Sequence, residues 1–103
     1  MTPQDVVRII EEDLTRGGAT LVWLGRPLRE CLQVPVRRRF LNSHSNNEPE
    51  DLWFVFEEGP NSGEGYKVVY DEDLGEFGLA VQGVTEPVLI GYYGGFVETL
   101  NSM

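Results

Sequence analysis

The first periodic signal in the chain is helical. Val6, Val7, Ile10 and Leu14 recur at spacings of three, four and seven, with Asp5, Arg8, Glu12 and Arg16 on the other side. This predicts a helix over residues 3–16 with one packed and one wet face. Its start is marked as well: Thr2 can cap, Pro3 suits the first helical position, and Asp5 completes a capping-box-like pattern. Arg16 complements the negative end of the helix, and Gly17 and Gly18 can stop it.

The rest of the pattern is extended. Residues 20–24 form a short apolar, β-branched run read as a strand buried on both faces or nearly so, and Gly25, Arg26 and Pro27 turn the chain. Leu28, Cys31 and Leu32 have helical spacing, but Pro35 breaks that register, and a strand is expected over 36–41. Residues 42–51 hold no apolar side chain and read as an exposed, mobile loop. Four β runs follow at 52–56, 66–70, 77–82 and 88–92, separated by turn-rich stretches that include the glycine-rich 59–65 and the acidic Asp71, Glu72, Asp73. Short connections of this kind imply an antiparallel meander. Gly94 and Gly95 allow a bend before a final helix over 96–103 with Phe96, Val97 and Leu100 on one side. The expected fold is a single α+β domain spanning 1–103: an N-terminal helix, a mostly antiparallel sheet of five or six strands, and a short C-terminal helix.

In the strand at 52–56, strict alternation puts Leu52, Phe54 and Phe56 on one face and Trp53 and Val55 on the other. Nine of the eleven aromatic residues lie after residue 50. If the helices cover only one face of the sheet, an aromatic patch around Trp53 is left as a binding surface or dimer interface. The alternative is that the N-terminal segment covers it.

Length and charge narrow the function classes. A chain of 103 residues, 41% hydrophobic, is one domain able to build its own core. The net charge of −9 argues against general nucleic-acid binding, which needs a basic surface. That charge is unevenly placed. Residues 1–45 carry seven arginines against five acids, whereas residues 46–103 carry Lys67 alone against twelve. Either the acidic part faces solvent, or the run Arg37, Arg38, Arg39 lies beside it and neutralises it. On a strand, Arg37 and Arg39 share a face and Arg38 points the other way, so two guanidinium forks could receive a phosphate or carboxylate. Pairing with Glu or Asp of neighbouring strands is the plainer reading.

Catalytic and metal signals are weak. Cys31 is the sole cysteine, which excludes an internal disulfide. His44 is the sole histidine, and its neighbours Ser43 and Ser45 do not place a hydroxyl on its ring. One Cys and one His make zinc a poor candidate, and no cofactor is expected. Asp71, Asp73 and Gly75 invite comparison with a calcium loop, but counting from Asp71 the glycine and the terminal glutamate positions are filled by Glu76 and Gln82. An acidic β-turn accounts for them better. The glycine-rich 59–65 lacks the Lys-Ser/Thr pair of a phosphate loop.

The stretch Phe77, Gly78, Leu79, Ala80, followed by Gly91 through Met103, resembles the ending of small uncharacterised bacterial proteins of unknown function, over about a quarter of the chain. The resemblance implies a bacterial cytosolic protein and transfers no catalytic residue. With neither a signal peptide nor a membrane-spanning run in the sequence, a cytoplasmic location is expected. The leading expectation is a non-enzymatic protein acting by protein–protein interaction, as monomer or homodimer, without membrane contact and with a partner of basic character. One version is an immunity or antitoxin-like inhibitor of a basic toxin or nuclease, presenting Glu57, Glu58, Asp71, Glu72 and Asp73. The competing class is a small anionic-ligand domain using Arg37 and Arg39.

Overall fold

The structure, a computed structural model, describes residues 1–17, 22–23, 26–27, 32–46, 48–57, 65–83 and 86–102. Helix α1 spans Pro3–Gly17. Its capping box is reciprocal: the Thr2 backbone N–H donates to the Asp5 carboxylate at 2.8 Å, and the Asp5 N–H donates to the Thr2 hydroxyl at 3.3 Å. The Thr2 backbone N–H, and after it the Thr2 hydroxyl donating at 3.0 Å, hold the Asp5 carboxyl below its ordinary range.

Two short strands follow, β1 (Val22–Trp23) and β2 (Arg26–Pro27), paired with each other and not with the main sheet. Of the strand expected over 20–24, the described part, Val22–Trp23, therefore pairs apart from the main sheet, and the rest lies outside the described residues. The remaining strands are β3 (Val36–Asn42), β4 (Glu48–Glu57), β5 (Tyr66–Asp71), β6 (Glu76–Val81) and β7 (Val88–Gly94), and α2 (Phe96–Asn101) closes the order. Among the described residues, no helix is long and apolar enough to cross a membrane.

The meander is present, but it is not an open sheet. Strands β3 to β7 pair antiparallel in chain order, and β7 then pairs parallel with β3 through Leu41–Val88 and Asn42–Leu89, closing a five-stranded barrel. With an odd number of up-and-down strands the first and last run the same way, so the closing pair has to be parallel.

Closure gives each face its own core. Phe40, Leu52, Phe54, Val69, Ala80 and Leu89, drawn from every strand, fill the inside. Outside, Trp53, Val55, Phe56, Val68, Tyr70, Phe77 and Leu79 meet Val6, Ile10 and Leu14 of α1 and Phe96 of α2. The β4 aromatics thus leave no open face: all of Leu52 to Phe56 are buried, Trp53 at 4% exposure. Phe56 also changes side. The β4–β5 register shifts between Phe54 and Phe56, so a bulge turns Phe56 outward with Trp53 and Val55, contrary to strict alternation. Gln33 serves the disturbed backbone there, its N–H donating to the Val55 carbonyl at 3.4 Å and its side chain to the Phe54 carbonyl at 3.3 Å.

The polar stretch 42–51 is not the loop its composition predicts. Asn42 ends β3, Ser43–Ser45 make one 3-10 turn, and Asn46 takes a positive φ of 55°. Strand β4 then begins at Glu48 and pairs with β3 through Asn42–Glu48, Leu41–Pro49 and Phe40–Glu50. Pro49 is tolerated there for a geometric reason. The Leu41 N–H donates to Pro87 at 3.0 Å, so the Leu41 backbone faces β7, and its partner Pro49 occupies a site where the β3–β4 ladder needs no N–H.

Candidate functional site

The arginine run lies on β3, and its three members meet three different partners. Arg37 stands opposite Trp53 on the outer face. Its guanidinium is 5.3 Å from the centre of the indole ring and forms an ion pair with Glu72. The same Glu72 oxygen accepts the Trp53 indole N–H at 3.2 Å. Arg39, also outward, pairs with Glu86 at 3.7 Å. Arg38 points the other way, over the Phe54 ring at 5.1 Å, and among the described residues it meets no carboxylate. Arg37 and Arg39 therefore do share a face, but each already holds a carboxylate from the acidic part of the chain. For these two residues the charge is neutralised internally.

The acidic residues singled out in the sequence are dispersed into separate tasks. Lys67 is 3% exposed and its ammonium lies 3.3 Å from Glu57. Asp71 is 6% exposed and fully engaged. One of its oxygens accepts the N–H groups of Asp73 and Leu74 at 2.9 and 3.2 Å, and the other accepts the Tyr92 hydroxyl at 2.7 Å. The turn it organises closes at Gly75, whose φ of +70° favours glycine. One Asp71 oxygen is thus spent on the turn and the other on Tyr92, which accounts for this aspartate without a cation. Among the described residues, no group of three His, Cys, Asp or Glu could hold a metal ion.

Burial, the bond to Asp71 and the nearby charges of Asp71, Glu50 and Glu76 all push the Tyr92 phenol far above its ordinary value. Tyr70 shifts the same way through burial and the charges of Glu72 and Asp71. Of the predicted acidic set, Asp73 is exposed and Glu72 is half-buried. Glu58, Cys31 and most of the glycine-rich turn lie outside the described residues, as does the side chain of His44.

The feature that sequence reasoning missed is a backbone one. Because Leu41 faces β7, alternation turns the N–H and C=O groups of Arg37 and Arg39 to that same side. The pairing with β7 covers Leu41 and Asn42 alone. Among the described residues, the edge of β3 from Val36 to Phe40 therefore has no strand beside it, and Val36 to Arg39 are all exposed. Val34 and Val36, 74% and 45% exposed, stand at its N-terminal end. Three consecutive charged residues on a strand were the available signal, because edge strands are commonly protected by charge.

Compared with protein-family models, curated proteins and solved structures, the chain matches none.

Proposed function

We propose that this chain is a non-enzymatic bacterial cytosolic module that acts by protein–protein contact, and that the open β3 edge is its contact surface. The backbone of Arg37 and Arg39, which meets no strand among the described residues and follows the exposed Val34 and Val36, carries this reading. A sheet edge offers main-chain hydrogen bonds to an incoming chain and side-chain positions that select it. The polar side chains that could otherwise serve chemistry are held in pairs: Arg37 with Glu72, Lys67 with Glu57, Tyr92 with Asp71. An anionic ligand at Arg37 and Arg39 would have to displace Glu72 and Glu86, which weakens the small-ligand alternative.

The edge is tested with Arg39→Pro. The Arg39 N–H faces outward, so proline removes no β3–β4 ladder bond yet blocks strand pairing from outside. Partner recovery from the native host is expected to fall, with the circular dichroism spectrum unchanged. Undiminished recovery by a folded Arg39→Pro protein rejects the edge as the contact surface.

A basic partner of the toxin or nuclease kind is a second reading, supported by the exposed carboxylates Glu48, Asp51 and Asp73. Its test neutralises those three and spares Asp71 and Glu72, which hold the fold. Added salt should slow association with the wild type and have little further effect on the triple variant.

A further inference from the structure

We infer that the occupant of the β3 edge is an extended segment of a partner protein that sets a carboxylate against Arg38 and apolar side chains against Val34 and Val36. The inference rests on the edge reading above and adds the chemistry of what binds there. Three observations carry it.

The first is the backbone: Arg37 and Arg39 present N–H and C=O groups outward, at alternate positions, which is the spacing an added strand needs. The second is the side-chain face. Val36 and Arg38 stand at alternate positions of β3, an exposed valine followed by a guanidinium, and the exposed Val34 precedes the strand. Arg38 rests on the Phe54 ring and meets no carboxylate among the described residues, whereas Arg37 and Arg39 are each paired. An incoming strand places its side chains about 4.5–5.5 Å from their cross-strand neighbours, within reach of a charge pair at Arg38 and apolar contact at the valines.

The third observation excludes the simplest competitor, a second copy of this chain. Pairing β3 with β3 would set the arginine run against itself, and like charges directly opposite destabilise a ladder. The same run that resists self-association favours an acidic residue in the incoming strand.

The probes are two capped, fluorescently labelled nine-residue peptides of alternating valine and threonine, one with glutamate and one with lysine at the centre. Their binding is read by anisotropy, and the Arg37 and Arg39 amide protons by hydrogen exchange. The glutamate peptide is expected to bind at least about tenfold more tightly than the lysine peptide and to slow exchange at Arg37 and Arg39. Arg38→Met should abolish the difference between the peptides, and Arg39→Pro should abolish binding of both. Equal binding of the two peptides, with the same amides protected, overturns the acidic occupant while leaving the edge reading intact. Failure of the glutamate peptide to protect Arg37 and Arg39 also overturns the inference, and partner recovery with Arg39→Pro then decides the edge reading separately.

Discussion

The carboxylate of Asp13, in the last turn but one of α1, accepts the backbone N–H of Val97 at 2.8 Å, in the first turn of α2. Eighty-four residues apart, the two form an N-cap in trans. Gly95, at the cap position of α2, has no side chain to serve that role, and a Cβ there would meet Asp13 at 3.1 Å. The glycine leaves room and the aspartate supplies the acceptor. A negative group also suits the positive end of α2.

Asp13→Ala is expected to destabilise the fold by about 1 kcal/mol, the usual value of a lost cap. That corresponds to a fall in melting temperature of roughly 4–8 °C for a domain of this size. Asp13→Asn, which keeps an oxygen acceptor, should lose less. Paired thermal melts check both.

Tyr92→Phe removes the hydroxyl donor of Asp71 and leaves one oxygen of a buried carboxylate unpaired. A bond to a charged group of this kind is worth about 1.5–3 kcal/mol, and urea titration should show a loss in that range. The pH dependence follows from the raised Tyr92 pKa. The folded state favours the protonated phenol, so this contribution is fully present below the unfolded value of about 10 and is lost as pH climbs above it. The wild type should therefore lose stability more steeply above about pH 10 than Tyr92→Phe does.

Lys67 and Glu57 form a pair in which the ammonium is the buried member. Removing the carboxylate leaves that charge without its partner, so Glu57→Gln should destabilise by about 1–3 kcal/mol. Lys67→Met removes the charge along with the need for a partner, and should be neutral or stabilising. The denaturant midpoint is expected to fall below the wild-type value for Glu57→Gln and to lie at or above it for Lys67→Met. Equal losses would contradict this account.

Gly78 faces the barrel interior beside β7. A Cβ at this site would stand 2.6 Å from the Gly91 carbonyl oxygen and 3.1 Å from side-chain atoms of Leu89 and Tyr92. The nearest obstacle is backbone, so β7 must shift to admit it. Gly78→Ala is expected to cost about 1–3 kcal/mol and to perturb amide resonances along β7, measured by chemical denaturation and two-dimensional NMR.

Local chemistry made much of this fold legible. Thr2, Pro3 and Asp5 mark a helix start through bonds among near neighbours, and the α1 stripe follows from a 3.6-residue period. The β runs after Leu52 carry their own hydrophobic signal. The bulge at Phe54–Phe56 was not legible, because alternation assumes an unbroken ladder and the extra residue appears only once β4 pairs with β5. Glu48–Asp51 read as loop because polar residues carry no period, yet pairing with β3 makes them strand.

The candidate site divides in the same way. The sequence by itself established the amphipathic helix, the β meander, the uneven charge and the alternation that separates Arg38 from Arg37 and Arg39. Each of these depends on residues a few positions apart. Tertiary structure decided the closure of the sheet, the partners of the arginines and the open edge of β3. Those depend on which distant segments meet: Arg37 with Glu72, Arg39 with Glu86, Leu41 with Val88, Asp13 with Val97. Hydrophobic period tells a strand which face to bury but not where its neighbour ends, and among the described residues the edge of β3 is free because β7 covers only Leu41 and Asn42.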